Sequence, residues 1–322
     1  MSQVRSMIVV VLVVPAVIAF SLWAFLWPSA RLAPRDLPLG VAGATAAVAP
    51  VKAQLEEREG AFEVHGYPDA AAARTAIKER EVYGAVVVTD RGPRLLVASA
   101  AAPTVAQLLT ESLGERDGRT VPTEDVVPLP ENDPRGTALN SSALPMALAG
   151  IAMGAAVSTL GLRGLRALVT VLAAAAVIGL VAAAVTDSWL GALAGDWWAE
   201  AGAFALAALA GGATVAGFAA LLGPAGIGLG ALVIMLLGNP FSGVTSAPQL
   251  LPEPVGTLGQ LLPPGAGGSL LRSVAYFDGH GVAGPLATLG VWTVLGLALV
   301  LLGPVLRARP TADASAAAGA PA

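Results

Sequence analysis

Few residues in this chain suit covalent or acid–base chemistry. There are two histidines, His65 and His280, two lysines, Lys52 and Lys78, and no cysteine. A hydrolase needs a nucleophile beside a base, or a metal with clustered ligands. The histidines are far apart, no His-Glu-x-x-His run occurs, and each reads as a surface or turn residue, His280 within Asp278-Gly279-His280-Gly281. A phosphate-cradling loop ends in Gly-Lys-Ser/Thr, but Lys52 follows Val51 and Lys78 follows Ile77. The absence of cysteine removes disulfides and thiolate metal sites. No enzyme, metal or cofactor is expected, and the chain is not its own ATPase.

A pump driven by protons or ions keeps ionisable residues inside its spans. Asp187, Asp196 and Glu200 are the nearest candidates, and they fall at the ends of apolar blocks, where solvation is the expected state. Small residues are more prominent. Gly150 and Gly154, and Gly226 and Gly230, each form GxxxG, which lets helix backbones approach closely; packing within the chain is favoured over a dimer seam. Pro15 and Pro145 are candidate kinks. Asp133-Pro134-Arg135-Gly136 reads as a rigid junction, with proline fixing the backbone and Asp133 and Arg135 free to bond neighbouring loops.

The elements that carry these residues are mostly apolar. The 322 residues are 55% hydrophobic and 12% charged, with mean hydropathy +0.72, far from soluble averages. Residues 28–141 hold 28 of the 40 charged side chains and form the water-facing part. A net charge of −4 without a basic run gives no electrostatic footprint for nucleic acid, and no such partner is expected. Sixteen arginines against two lysines is the bias of a GC-rich genome, pointing to an actinobacterium-like source and a bacterial plasma membrane.

Six charge-free blocks can each span a bilayer: residues 7–27, 142–162, 167–185, 201–222, 225–244 and 285–306. The first, residues 1–27 with its flank, is a retained anchor, longer than a signal-peptide core and ending in Trp23 and Trp27. Gly223-Pro224 alone separates the fourth and fifth. Residues 28–141 alternate short strands and helices in the order βαβαββα, a small α/β domain. Residues 142–309 form a five-span domain in which 245–284, broken at Pro263-Pro264-Gly265, is an external hairpin. Residues 310–322 read as a disordered cytoplasmic tail.

Basic residues flank spans on the cytoplasmic side. With Arg5 inside, six crossings also place Arg163, Arg166, Arg307 and Arg309 inside, and Asp187, Asp196, Glu200, Glu253 and Asp278 outside. Both termini are then cytoplasmic and the α/β domain is extracytoplasmic. Arg272 alone departs from this rule.

One anchor, an α/β domain and five spans with a hairpin before the last is an order with a known counterpart. Leu37-Pro38-Leu39-Gly40-Val41-Ala42, Arg80-Glu81-Val82-Tyr83-Gly84-Ala85-Val86-Val87-Val88, Leu95-Leu96-Val97-Ala98-Ser99-Ala100-Ala101-Ala102-Pro103, Asp133-Pro134-Arg135-Gly136 and Leu261-Leu262-Pro263-Pro264-Gly265 through Arg272 to Tyr276-Phe277 carry it. The chain resembles permease subunits of the type-2 ABC exporter superfamily, and within it the YhgE/Pip group. The resemblance implies outward transport driven by a separate cytoplasmic ATPase, and a homodimer or paired permease. The ATPase would dock beside Arg5, residues 161–166 with Arg163 and Arg166, and Gly223-Pro224. Residues 161–166 are short for a coupling helix, which keeps open a non-transporting scaffold or accessory factor of the phage-infection or secretion type.

Overall fold

A computed structural model describes residues 3–116 and 119–308; the tail at 310–322 and Arg309 lie outside them. Among the described residues, six helical stretches are long and apolar enough to cross a membrane: Val11–Ser29, Thr137–Thr159, Gly164–Trp189, Trp197–Leu222, Pro224–Phe241 and Ala283–Gly303. At about 1.5 Å per residue each reaches about 27 Å or more, the thickness of a hydrocarbon core. The chain is a multi-pass membrane protein.

The first span belongs to α1 (Gln3–Ser29). The α/β part follows as β1 (Leu37–Ala42), α2 (Thr45–Glu56), β2 (Phe62–Tyr67), α3 (Ala70–Lys78), β3 (Gly84–Thr89), β4 (Gly92–Val97), α4 (Pro103–Leu113), the short pair β5 (Glu115–Arg116) and β6 (Arg119–Thr120), and β7 (Thr123–Asp125). Five strands form one sheet in the order β2-β1-β3-β4-β7, parallel except where β4 folds back on β3. Period-two alternation sorts side chains onto two faces. Leu37, Leu39, Val41, Val86, Leu95 and Val97 meet α2 and α4 on one face, while Ala42, Ala85, Val87 and Leu96 meet α3 on the other. Asp69 starts α3 by accepting from the Ala71 and Ala72 backbone N–H groups, both at 2.9 Å. Arg74 on α3 grips Glu124 on β7 with two bonds of 2.9 and 2.7 Å. Those bonds hold the Glu124 carboxyl below its usual range, so the pair's contribution, under about 1 kcal/mol at this exposed site, is lost as pH falls through that lowered value.

The membrane part continues with α5 (Thr137–Thr159), α6 (Gly164–Ala183) extended by a π-helical turn to Trp189, α7 (Trp197–Leu222), α8 (Pro224–Ala231) extended by a second π-helical turn into α9 (Asn239–Phe241), then α10 (Val255–Gln260), α11 (Pro263–Tyr276) and α12 (Ala283–Ala308). Helix α7 is the axis: α5, α6, α8, α11 and α12 all pack on it, and its Ala and Gly residues are largely buried. By contrast α1 lies at the side and meets the rest through Phe20, Ala24, Phe25 and Trp27 against Leu237, Phe241, Leu251 and Val255.

Two spans run further than hydropathy alone places them. The π-helical turn carries the α6 span to Trp189 and takes in Asp187, and α7 begins at Trp197 and takes in Glu200. Asp196 accepts from the Ala199 N–H at 2.9 Å, fixing that first turn as helix. The helices therefore run beyond the charge-free blocks at 167–185 and 201–222 and take in Arg166, Asp187 and Glu200, because apolarity locates a span's centre and capping sets a helix's end.

Residues 247–250 join the two parts. Ala247 and Leu250 sit in the core beneath α2 and α4, and Phe277 closes the opposite face. The linker after α1 pairs with the same segment, Ala33 N–H donating to Leu250 O at 3.1 Å and Arg35 N–H to Gln249 O at 2.9 Å.

Candidate functional site

The helices place the residues singled out in the sequence at two ends of the bundle and along one seam. At the end away from the sheet, the α5–α6 link and the α7–α8 turn meet around a cavity of about 540 Å³. Gly161, Leu162 and Arg163 line it from the first, Gly223 and Pro224 from the second, with Val300 on α12 across from them. Arg163 and Arg166 are both exposed, and Arg166 is not among the lining residues. Toward the sheet, Met146, Phe204, Val244 and Leu271 line a smaller, apolar cavity of about 40 Å³ between α5, α7 and α11.

Between these cavities α5 and α7 are in backbone contact. A Cβ built on Gly154 would lie 2.5 Å from Gly212 O and 2.7 Å from Val215 Cβ, and one on Gly150 3.2 Å from Gly212 N. The second glycine pair, on α8, packs against α7: a Cβ built on Gly226 would lie 2.0 Å from Phe218 O, and one on Gly230 2.9 Å from the Val215 Cα. Gly228, between them, faces nothing within 4 Å. All four packed glycines therefore serve contacts within one chain.

At the sheet end, Asp133 is 5% exposed and caps α5. Its Oδ1 accepts from the Thr137 N–H and hydroxyl, and its Oδ2 from the Ala138 N–H, all at 2.8 Å. Gly136 precedes the helix with φ +64°, a left-handed conformation that favours glycine. Pro134 and Arg135 are exposed, and Arg135 makes no side-chain hydrogen bond among the described residues. The expected bonding role of Arg135 is corrected: the backbone turns it into solvent while Asp133 points at the helix N-terminus. Asp133→Ala should lower stability by about 1–2 kcal/mol, whereas Arg135→Ala should leave the detergent melting temperature unchanged.

Glu200 is the residue that sequence reading placed wrongly. It is fully buried, with Oε1 accepting from the Gly195 N–H at 3.0 Å and Oε2 without a partner among the described residues. Asp196 is exposed and Asp187 partly so, so solvation describes Asp196 and not Glu200. The cause is tertiary: the loop before α7 tucks under α11, where a Cβ on Gly195 would meet Val274 O at 2.1 Å. Nearby, Tyr276 donates to Ala192 O at 3.1 Å, and burial, followed by the Asp133 charge, pushes its phenol well above the usual range. Arg272 also differs from its reading as a misplaced topology signal. It is buried in α11 and donates to Val244 O at 2.9 Å. No local pattern announces either residue, since their partners are distant in sequence or on the backbone.

His65 lies 3.4 Å from the exposed Glu63 carboxylate, and His280 Nδ1 is 2.8 Å from Phe277 O in a turn. Among the described residues no group of three or more His, Asp or Glu side chains is placed to hold a metal ion. No protein-family model, curated protein or solved structure matches the chain.

Proposed function

We propose that the chain is the permease subunit of an ABC-type exporter in a bacterial plasma membrane, moving an apolar or amphipathic substrate outwards with energy from a separate ATPase. The observation that carries this reading is the pair of cavities at opposite ends of α5 and α7, parted by the Gly150–Gly154 seam. Such a seam is a closed gate between two half-paths, and sliding of α5 on α7 would open one end at a time. The lining of the cavity toward the sheet is apolar, which suits a lipid-like cargo better than a small ion once that end opens.

The chain lacks the Gly-Lys loop that would bind ATP, so ATP-driven export needs a separate ATPase. The cavity lined by Arg163, Gly223 and Pro224 supports docking of an ATPase at that end. With the arginine-flanked ends in the cytoplasm, the α/β domain is extracytoplasmic and both termini are inside. Pairing with a second permease or a second copy completes the assembly.

The link between α5 and α6, residues 160–163, is short for a coupling helix, and this favours the scaffold as a second reading. Purification in mild detergent should co-isolate an ATPase, and export reconstituted with it should be abolished by Arg163→Glu combined with Arg166→Glu while insertion is kept. Purification without any ATPase, together with a full phenotype after deletion of candidate ATPases, would leave only the scaffold.

A further inference from the structure

The cleft between the α/β domain and α11 holds two arginines without a carboxylate partner. Arg272 is 5% exposed and makes one hydrogen bond among the described residues, from Nη2 to Val244 O. Arg80, just after α3, reaches the same helix: Nη1 donates to Ser269 O at 3.1 Å and to Ser273 Oγ, and the guanidinium lies 5.2 Å from the centre of the Phe277 ring. Neither forms an ion pair among the described residues. Both face a cavity of about 260 Å³, also lined by Tyr83, Gln249, Gln260 and Ser269.

The hydrogen-bond inventory of that cavity is one-sided. Each guanidinium has five N–H donors and no acceptor, and most of those donors are unused here. The amide oxygens are taken: Gln249 Oε1 accepts from Tyr83 OH at 2.8 Å, and Gln260 Oε1 from Ser269 Oγ at 2.6 Å. The Gln260 amide nitrogen donates to Ser242 O at 2.7 Å, while the Gln249 amide nitrogen makes no hydrogen bond among the described residues. The one carboxylate at the rim, Glu81, is exposed and accepts from Tyr67 OH at 3.3 Å. Burial first, and then the like charge of Arg80, pull the Arg272 guanidinium down to about 10, the mark of a positive site lacking its counter-charge.

Buried charges are stable when paired and fully hydrogen-bonded, and a planar guanidinium matches a tetrahedral oxyanion with two parallel bonds. Gly281 and Pro285 form one edge of the cleft, beside the start of the α12 span, and lipid headgroups lie at the ends of spans. We propose that this cleft binds a phosphate oxyanion, held between Arg80 and Arg272 with the Gln249 amide as a third donor. A phospholipid headgroup and a free phosphate share this chemistry. The inference is independent of the transport reading.

The test uses the full chain in phosphatidylcholine nanodiscs with and without phosphatidylglycerol, reading retained lipid by native mass spectrometry and the melting-temperature shift on adding inorganic phosphate at constant ionic strength. Wild type should retain phosphatidylglycerol over phosphatidylcholine, or be stabilised by phosphate, and Arg80→Gln and Arg272→Gln should each weaken that binding by at least about tenfold. Lipid displaced by phosphate assigns a soluble phosphate, and lipid that resists displacement assigns the headgroup. Gln249→Leu spares both arginines and their protein contacts, and should weaken binding about three- to tenfold. Binding by neither probe overturns the proposal, as does wild-type affinity in the arginine variants; should those fail to fold, unchanged affinity in Gln249→Leu overturns it.

Discussion

Gly154→Leu should prevent the bundle from closing, with a loss above about 3 kcal/mol, and Gly154→Ala should already cost about 1–3 kcal/mol. The first atom of any side chain there meets the Gly212 carbonyl oxygen at 2.5 Å and Val215 Cβ at 2.7 Å. The opposing atoms are backbone and a β-branched carbon, neither of which can swing aside as a flexible chain end would. Relief requires α5 to move off α7, which separates the contacts of Met153 and Val157 on the same face. Gly228→Ala is the matched control, since a Cβ there meets nothing within 4 Å. It should be neutral, or stabilising by up to about 1 kcal/mol through reduced backbone freedom of the unfolded chain. Melting temperatures in detergent, read beside membrane insertion, separate the two variants; equal effects at Gly154 and Gly228 would refute the seam.

Glu200→Ala should lower stability by about 2–4 kcal/mol, while Glu200→Gln should stay within about 1 kcal/mol of wild type. Alanine removes the only acceptor of the Gly195 N–H and leaves a void in the first turn of α7, two losses that add. Glutamine retains the Oε1 acceptor and presents an amide in place of the unpartnered Oε2. Unfolding followed by fluorescence of Trp197 and Trp198, three and two residues before the substitution, measures both. A glutamine variant as unstable as alanine would show that the negative charge, rather than the acceptor, holds the loop.

Local chemistry made much of the architecture readable. The alternation of residues 62–67 lies in β2, the cap at Asp69 starts α3, and Gly223-Pro224 divides α7 from α8. These features depend on neighbours within a few residues, which is what periodicity and capping report. β7 has no counterpart in the βαβαββα order, because three residues carry too little pattern to show that they complete the sheet beside β4. Burial of Glu200 was hidden because Asp196-Trp197-Trp198 has the composition of a membrane surface, and the loop's position is set by α11, far along the chain. Arg80 and Arg272 were invisible as a pair because nothing in either segment refers to the other. Asp133-Pro134-Arg135-Gly136 was half legible: the motif marks a junction, but only the backbone turn decides that the aspartate caps and the arginine faces solvent.

The apolar interior beneath α2 and α4 is completed by Ala247 and Leu250, which the ribosome makes more than a hundred residues after β7. At about 5–20 residues per second that delay is on the order of ten seconds. Until then the α/β domain cannot bury that face against Ala247 and Leu250, and the linker at Ala33 and Arg35 lacks its acceptors, the carbonyls of Leu250 and Gln249. Biogenesis thus has a built-in order, with the membrane helices as the last step in maturation of the water-facing domain. A translation arrest or truncation before residue 247 leaves that face open to chaperones and proteases, so the domain reports on completion of the whole chain.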